Sequence, residues 1–311
     1  MLRLICTSHS PLLLNVKPTK EEQGHQFYAA IEQAQQHIKA YDPEIIVLFA
    51  PDHFNGFFHD LMPQFCVGFD AIGAEDWDIA LGELDVPIEV AQDLAGYLLA
   101  QEFDVATSYR MKVDHGFTIA LNLLTKRLDA YPTIPIFINC NSVPRASCKR
   151  ARQLGEAVGR YLRKLDKRIL IVGSGGLSHD PPNMPYEEAP PETQKYLIGE
   201  TPWTREFEKR RQERVKVAAR GLVEGKTPIL PPSREWDARI LDVVMGRKLT
   251  DADSFSDEWI TKNGGKGGHE IRSWIAAFAA LGTQGDYKAE LMYYDVVTDW
   301  ATGMGVVRAA A

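Results

Sequence analysis

Short β-branched, apolar runs separated by longer amphipathic stretches constrain this chain more than any other feature. Residues 2–7, 44–49, 133–139 and 168–173 read as strands, whereas 20–41, 87–101, 117–128 and 148–165 carry apolar residues at spacings of three and four and read as helices. Strand and helix in alternation predict an α/β fold, with a central, partly parallel (mixed) sheet flanked by helices. The pattern breaks after His179, where Asp180-Pro181-Pro182 opens a Pro- and Glu-rich segment followed by a charged helix over 204–223. Order returns with a helix over 270–281 and a strand near 290–297. We expect one domain over 1–311, with 180–265 forming a helical covering or lid segment.

At 311 residues and 45% apolar content the chain can bury a large core. A net charge of -7 argues against a nucleic-acid partner, which requires a concentrated excess of Lys and Arg. The one basic cluster, Lys209, Arg210, Arg211 and Arg214, is interleaved with Glu206, Glu208 and Glu213 and is expected to be a solvated helix face. Neither a secretory leader nor an 18-residue apolar run is present, so we expect a cytoplasmic protein without a membrane partner. Cys6, Cys66, Cys140 and Cys148 form no C-x-x-C pair and are expected to be buried thiols.

The histidines are placed with more order than composition requires. His9, His53 and His179 each follow an apolar, strand-like run, and His115 follows a weaker strand candidate at 107–109. In an open α/β sheet the ligand crevice lies beyond the carboxyl ends of the strands, so four imidazoles are positioned to converge there. His25 and His37 sit within an amphipathic helix and, with His59 and His269, are read as structural or surface residues. Imidazole alone does not name a metal. Glu270 is the best carboxylate partner, because the Gly264-Gly265-Lys266-Gly267-Gly268 loop delivers it to a helix N-terminus, where negative charge is favoured. Two His and one carboxylate on one face of an octahedral ion leave positions for both oxygens of a catechol and for O2, although a tetrahedral zinc hydrolase site would use the same ligands. The glycines near His179 and before Glu270 match neither G-x-G-x-x-G nor a P-loop and are read as turns.

Five dispersed segments, in order along nearly the whole length, carry a family resemblance: Ser8-His9-Ser10-Pro11, Pro51-Asp52-His53-Phe54-Asn55-Gly56-Phe57-Phe58, Val113-Asp114-His115-Gly116, Gly173-Ser174-Gly175-Gly176-Leu177-Ser178-His179 and His269-Glu270-Ile271-Arg272-Ser273-Trp274. Together they resemble the class III extradiol ring-cleavage dioxygenases, and within these the enzymes acting on 3-(2,3-dihydroxyphenyl)propionate. The resemblance implies Fe(II) held by His9, His53 and Glu270, with His115 and His179 as catalytic acid/base residues. It also implies a catechol and O2 as small-molecule partners, aromatic-compound catabolism as the setting, and a homo-oligomer. His179 would act as general base and His115, as its imidazolium, as proton donor. Other catechols (protocatechuate, gallate, an aminophenol), a zinc-dependent relative and a non-enzymatic relative are the alternatives. Trp236-Asp237 is the clearest match in the covering segment, and Arg145, Lys112 and Arg272 are the cations considered for a substrate carboxylate.

Overall fold

Four of the strand-like runs become the centre of an eight-stranded mixed sheet. The computed structural model describes residues 2–79, 82–201 and 204–311. Strands β1 (Leu2–Thr7), β2 (Ile45–Ala50), β3 (Phe65–Gly68), β4 (Ala71–Gly73), β5 (Ala106–Ser108), β6 (Met111–Val113), β7 (Thr133–Ile138), β8 (Ile169–Ser174), β9 (Lys288–Val297) and β10 (Thr302–Ala310) alternate with helices α1 (Glu21–Tyr41), α2 (Ile88–Ala100), α3 (His115–Thr125), α4 (Cys148–Leu162), α5 (Pro191–Leu197), α6 (Arg205–Val223), α7 (Arg234–Met245), α8 (Asp257–Gly264) and α9 (Ile271–Gly282). The sheet order is β5-β3-β7-β2-β8-β1-β10-β9, while β4 and β6 pair separately. The run β7-β2-β8-β1 is parallel, and β3, β10 and β9 make antiparallel pairs around it.

Helices cover both faces, which is why the central strands are apolar along their whole length rather than at alternate residues. In β2, Ile45, Val47 and Phe49 enter one core, and Ile46, Leu48 and Ala50 enter the other. On the first face α9 packs against α4 and against β1, β2 and β8; α1 and α3 pack on the second. Every residue of α9 from Ile271 to Leu281 is buried. Trp274, Ile275 and Phe278 each contribute on the order of 1.5–3 kcal/mol by leaving water, so the start of this helix is held rigidly.

The segment 180–265, expected from the sequence to form a cover, divides in two. Trp236, Ile240, Leu241, Val243 and Val244 of α7 enter the core beneath α9, whereas α6 lies against the 3-10 turn Thr298–Trp300 at the carboxyl end of the sheet. Four strands, β3, β4, β6 and β10, escaped the sequence reading for physical reasons. β10 is rich in Gly and Ala, while β3 has four residues and β4 and β6 three each, too short to show a period. His115 requires a correction: the 107–109 run is the edge strand β5, and His115 instead opens α3, after β6 of the small sheet. It reaches the site by a helix N-terminus capped by Asp114, whose carboxylate accepts from the Gly116 N–H at 2.9 Å.

Candidate active site

β2, β8 and β1 are adjacent and parallel, so their carboxyl ends lie side by side, about 4.8 Å apart from strand to strand. His53, His179 and His9 follow those three ends. Glu270 occupies the N-cap position of α9, which packs across the same strands. Its carboxylate lies 3.3 Å from His9 Nε2, 3.0 Å from His53 Nε2 and 3.4 Å from His179 Nε2, and accepts from the Gly176 N–H at 2.7 Å. His115 completes the cluster, stacked on His53 with ring centroids 4.1 Å apart. The five residues expected from the sequence line one cavity.

The second nitrogen of each imidazole fixes which tautomer is present. Ser174 donates its hydroxyl proton to the Gly116 carbonyl and therefore accepts from His9 Nδ1–H at 2.9 Å. His53 Nδ1–H donates to Asp114 at 3.0 Å, His179 Nδ1–H donates to the Leu177 carbonyl at 3.0 Å, and His115 Nδ1–H donates to Asp76. Each Nε2 is thereby left with a lone pair. Three of these lone pairs face carboxylate oxygens, an acceptor-to-acceptor arrangement that only a proton or a cation between them can stabilise.

The electrostatics express the same demand. Burial opposes ionisation of Glu270, yet the neighbouring His9, His179 and His53 hold its carboxyl well below the usual range. Burial works against protonating His53, but the charge and hydrogen bond of Asp114, followed by those of Glu270, raise it well above an ordinary imidazole. His9, whose Nδ1 meets only a hydroxyl, is pushed by burial down to about 3 and stays neutral. The donor set thus fits a divalent cation, which would take the place of the proton that Glu270 and Asp114 favour on His53: two imidazoles and one carboxylate, with the 3.0 and 3.3 Å separations close to the edge of an octahedron having ~2.1 Å bonds. His9, His53 and His115 also place ligand atoms within 4.8 Å of one another.

Behind the imidazoles lies a carboxylate pair that the sequence reading did not single out. Asp114 accepts from the His53 N–H at 2.6 Å and from Asn55 Nδ2 at 3.1 Å. Burial disfavours its charge, but His53, His115 and Asn55 outweigh that and keep it ionised. Burial and then the charge of Asp114 push Asp76 well above the usual carboxylate range, so the negative charge settles on Asp114. Asp114 stands beside His115 in the sequence and was findable from that adjacency; Asp76, which lies 39 positions away, carried no local signal.

Two further expectations meet the structure differently. Arg211 is not on a solvated face: its guanidinium donates to Tyr196 Oη at 2.8 Å, Asn55 Oδ1 at 3.3 Å and the His53 carbonyl at 2.8 Å, tying α6 to the His53 loop. None of Arg145, Lys112 and Arg272 lines the cavity. Arg272 is fully buried on Asp257, His269 and the Ala146 carbonyl, and the partly buried Arg145 bonds Asp257 and the Cys140 carbonyl. His269 is held neutral, its pKa pushed down to about 2 by burial, Arg272 and Arg145, and it bonds Thr261 at 2.8 Å. His59 bonds Ser142 Oγ at 3.1 Å, and neither it nor His25 nor His37 borders the cavity. The four cysteines are buried and free.

Residues 3–305 match the family model described as the catalytic LigB subunit of aromatic ring-opening dioxygenase. A protein of Photorhabdus laumondii subsp. laumondii, named 2,3-dihydroxyphenylpropionate/2,3-dihydroxicinnamic acid 1,2-dioxygenase, is 47% identical over 308 residues, covering 99% of this chain and 97% of its own. Proteins of the same name from Paraburkholderia xenovorans and Rhodococcus sp are 44% and 42% identical, each aligned over 309 residues; the alignments cover 98% and 99% of this chain and 96% and 98% of theirs. A crystal structure of an uncharacterized protein from Escherichia coli K12 superposes with a TM-score of 0.51 at 12% identity, covering all of both chains, and shares the fold.

Proposed function

The chain belongs to the LigB family of aromatic ring-opening dioxygenases and is an extradiol catechol dioxygenase, and from that premise we propose that it opens 3-(2,3-dihydroxyphenyl)propionate with O2 at an iron(II) held by His9, His53 and Glu270. The single observation carrying this assignment is the convergence of two hydroxyl- or carboxylate-anchored imidazoles on Glu270, Nε2 lone pairs foremost. The choice of Glu270 over His115 as third ligand follows from charge, since one carboxylate offsets part of the metal's charge in a buried site and a third imidazole would not. Bound iron would supply adjacent positions for the two catechol oxygens and for O2, and a path for electrons between them. Relatives' names support the substrate, and the donor chemistry supports a divalent metal.

Within that frame His179 serves as base. Its Nδ1–H is spent on the Leu177 carbonyl, so Nε2 is free to accept a hydroxyl proton from the catechol. Burial lowers its affinity for that proton, but the charge and hydrogen bond of Glu270 and the Leu177 carbonyl outweigh burial and raise it above an ordinary imidazole. His115 serves as the proton donor to the leaving oxygen. Burial, then His53, holds its pKa down to about 3, so it is neutral at rest and must first receive at Nε2 the proton it later gives. Asp76, bound to His115 Nδ1–H, orients the ring for both transfers.

We propose that the covering role expected of 180–265 falls to α6 and the loop before α5, with Pro181, Pro182, Arg211 and Val215 walling the cavity. The resemblance further supports a cytoplasmic homo-oligomer; among the described residues no helix is long and apolar enough to cross a membrane. The test is anaerobic reconstitution with Fe(II), followed by O2 and absorbance scans for the yellow ring-opened product over a panel of catechols. Preference for the dihydroxyphenylpropionate is expected. An iron-loaded protein that opens another catechol with higher kcat/KM, or opens none, overturns the assignment.

A further inference from the structure

Among the described residues two cationic side chains line the cavity, Arg211 and Arg214, one turn apart on α6. They differ in what they already hold. Arg211 is committed to Tyr196, Asn55, Glu208 and the His53 carbonyl. Arg214 makes no hydrogen bond or ion pair among the described residues, although acidic partners are plentiful along the helix. Burial, followed by the charges of Arg211 and Arg210, makes its guanidinium less at ease than an ordinary one. Val215, Ala218, Ile229 and Trp77 give the same cavity an apolar lining, beside polar Asp180, Glu208 and Gln212. A guanidinium without a partner among the described residues, sharing one cavity with apolar side chains and the imidazoles, is complementary to a short hydrocarbon chain that ends in an anion.

We propose that Arg214 is the residue that reads the carboxylate of the substrate's side chain, with Val215, Ala218 and Ile229 lining the path of the intervening carbons. This rests on the substrate assigned above. The cation stands on α6 rather than on the sheet, on a helix that Arg211 anchors to the His53 loop. Substrates lacking the carboxylate would meet the apolar side chains of α6 but not engage Arg214.

The test compares 3-(2,3-dihydroxyphenyl)propionate with 3-propylcatechol, which has the same number of tail carbons and no charge. In Arg214→Gln the ratio of kcat/KM for the acid to that for propylcatechol should fall roughly ten- to a hundredfold, chiefly through KM, as expected for loss of a charge-assisted contact remote from the chemistry. Arg214→Met, which keeps the apolar stem, should behave alike and serves if the Gln variant misfolds. Arg214→Glu should shift preference toward 3-(3-aminopropyl)catechol. A ratio within threefold of the native value, or equal losses on both substrates, overturns the role of Arg214. If the unmodified enzyme itself fails to prefer the acid, the substrate assignment fails instead, and the two failures are distinguished by that control.

Discussion

His179 is pressed between two glycines, and that contact predicts a large effect from a single methyl group. A Cβ on Gly267 would lie 2.0 Å from His179 Nε2 and 2.2 Å from both Cδ2 and Cε1, and one on Gly176 would lie 2.5 Å from Cε1. Ordinary contact begins near 3.4 Å, so Gly267→Ala demands a displacement of about 1.4 Å, the difference between 3.4 and 2.0 Å. The backbone of Gly267 is not left-handed, so the cost is steric rather than conformational. The ring cannot retreat toward Gly176, and turning aside breaks the Leu177 contact that sets its tautomer. A misplacement of about 1 Å costs on the order of 10² in rate, and loss of a general base about 10² to 10⁴. Gly267→Ala should therefore lower kcat by ~10² to 10³ and stability by ~1–3 kcal/mol from overpacking, while keeping iron. Metal analysis, single-turnover rates after O2 addition and a urea titration on the same preparation would measure all three. An iron-loaded variant turning over within threefold of the native rate would refute the argument that these glycines position the base.

His9→Ala should lose both iron and activity, whereas His179→Ala and His115→Ala should retain iron and bind catechol but lose about 10² to 10⁴ in turnover; an iron-free His179 variant would reverse the roles. Asp76→Asn should keep iron and slow the step that uses His115 by ~10- to 100-fold, and an unchanged single-turnover rate would remove Asp76 from its positioning role. Saturating Fe(II) should raise the melting temperature by several degrees, since a ligand at 100 times its Kd adds about 2.7 kcal/mol to the folded state, and a melting curve indifferent to metal would count against the donor set. Tyr196→Phe removes the hydroxyl that donates to the Phe54 carbonyl at 2.9 Å and accepts from Arg211 at 2.8 Å. It should cost ~1 kcal/mol and raise KM, and identical melting and KM would show that the tether of α6 is idle.

The β1, β2, β7 and β8 runs were legible because a strand covered on both faces is apolar throughout, and a helix between two such strands implies a parallel crossover. From that alone came the expectation that His9, His53 and His179 lie at one edge of a sheet, and the order of the five histidine- and glutamate-bearing segments sufficed for the family. What the residues could not reveal is which strands are neighbours. The order β2-β8-β1, which brings the three imidazoles together, depends on how the crossovers pass, and no local period encodes it. The same holds for groups that act across long separations. Asp76 meets His115, Arg211 meets the His53 carbonyl and Glu270 meets three imidazoles through side-chain contacts whose sequence signal is a lone charged residue like any other. A charge pattern read along α6 made Arg211 and Arg214 look alike and solvated; only packing against the His53 loop separated a committed guanidinium from a free one, because burial and partner are properties of the folded neighbourhood and not of the helix.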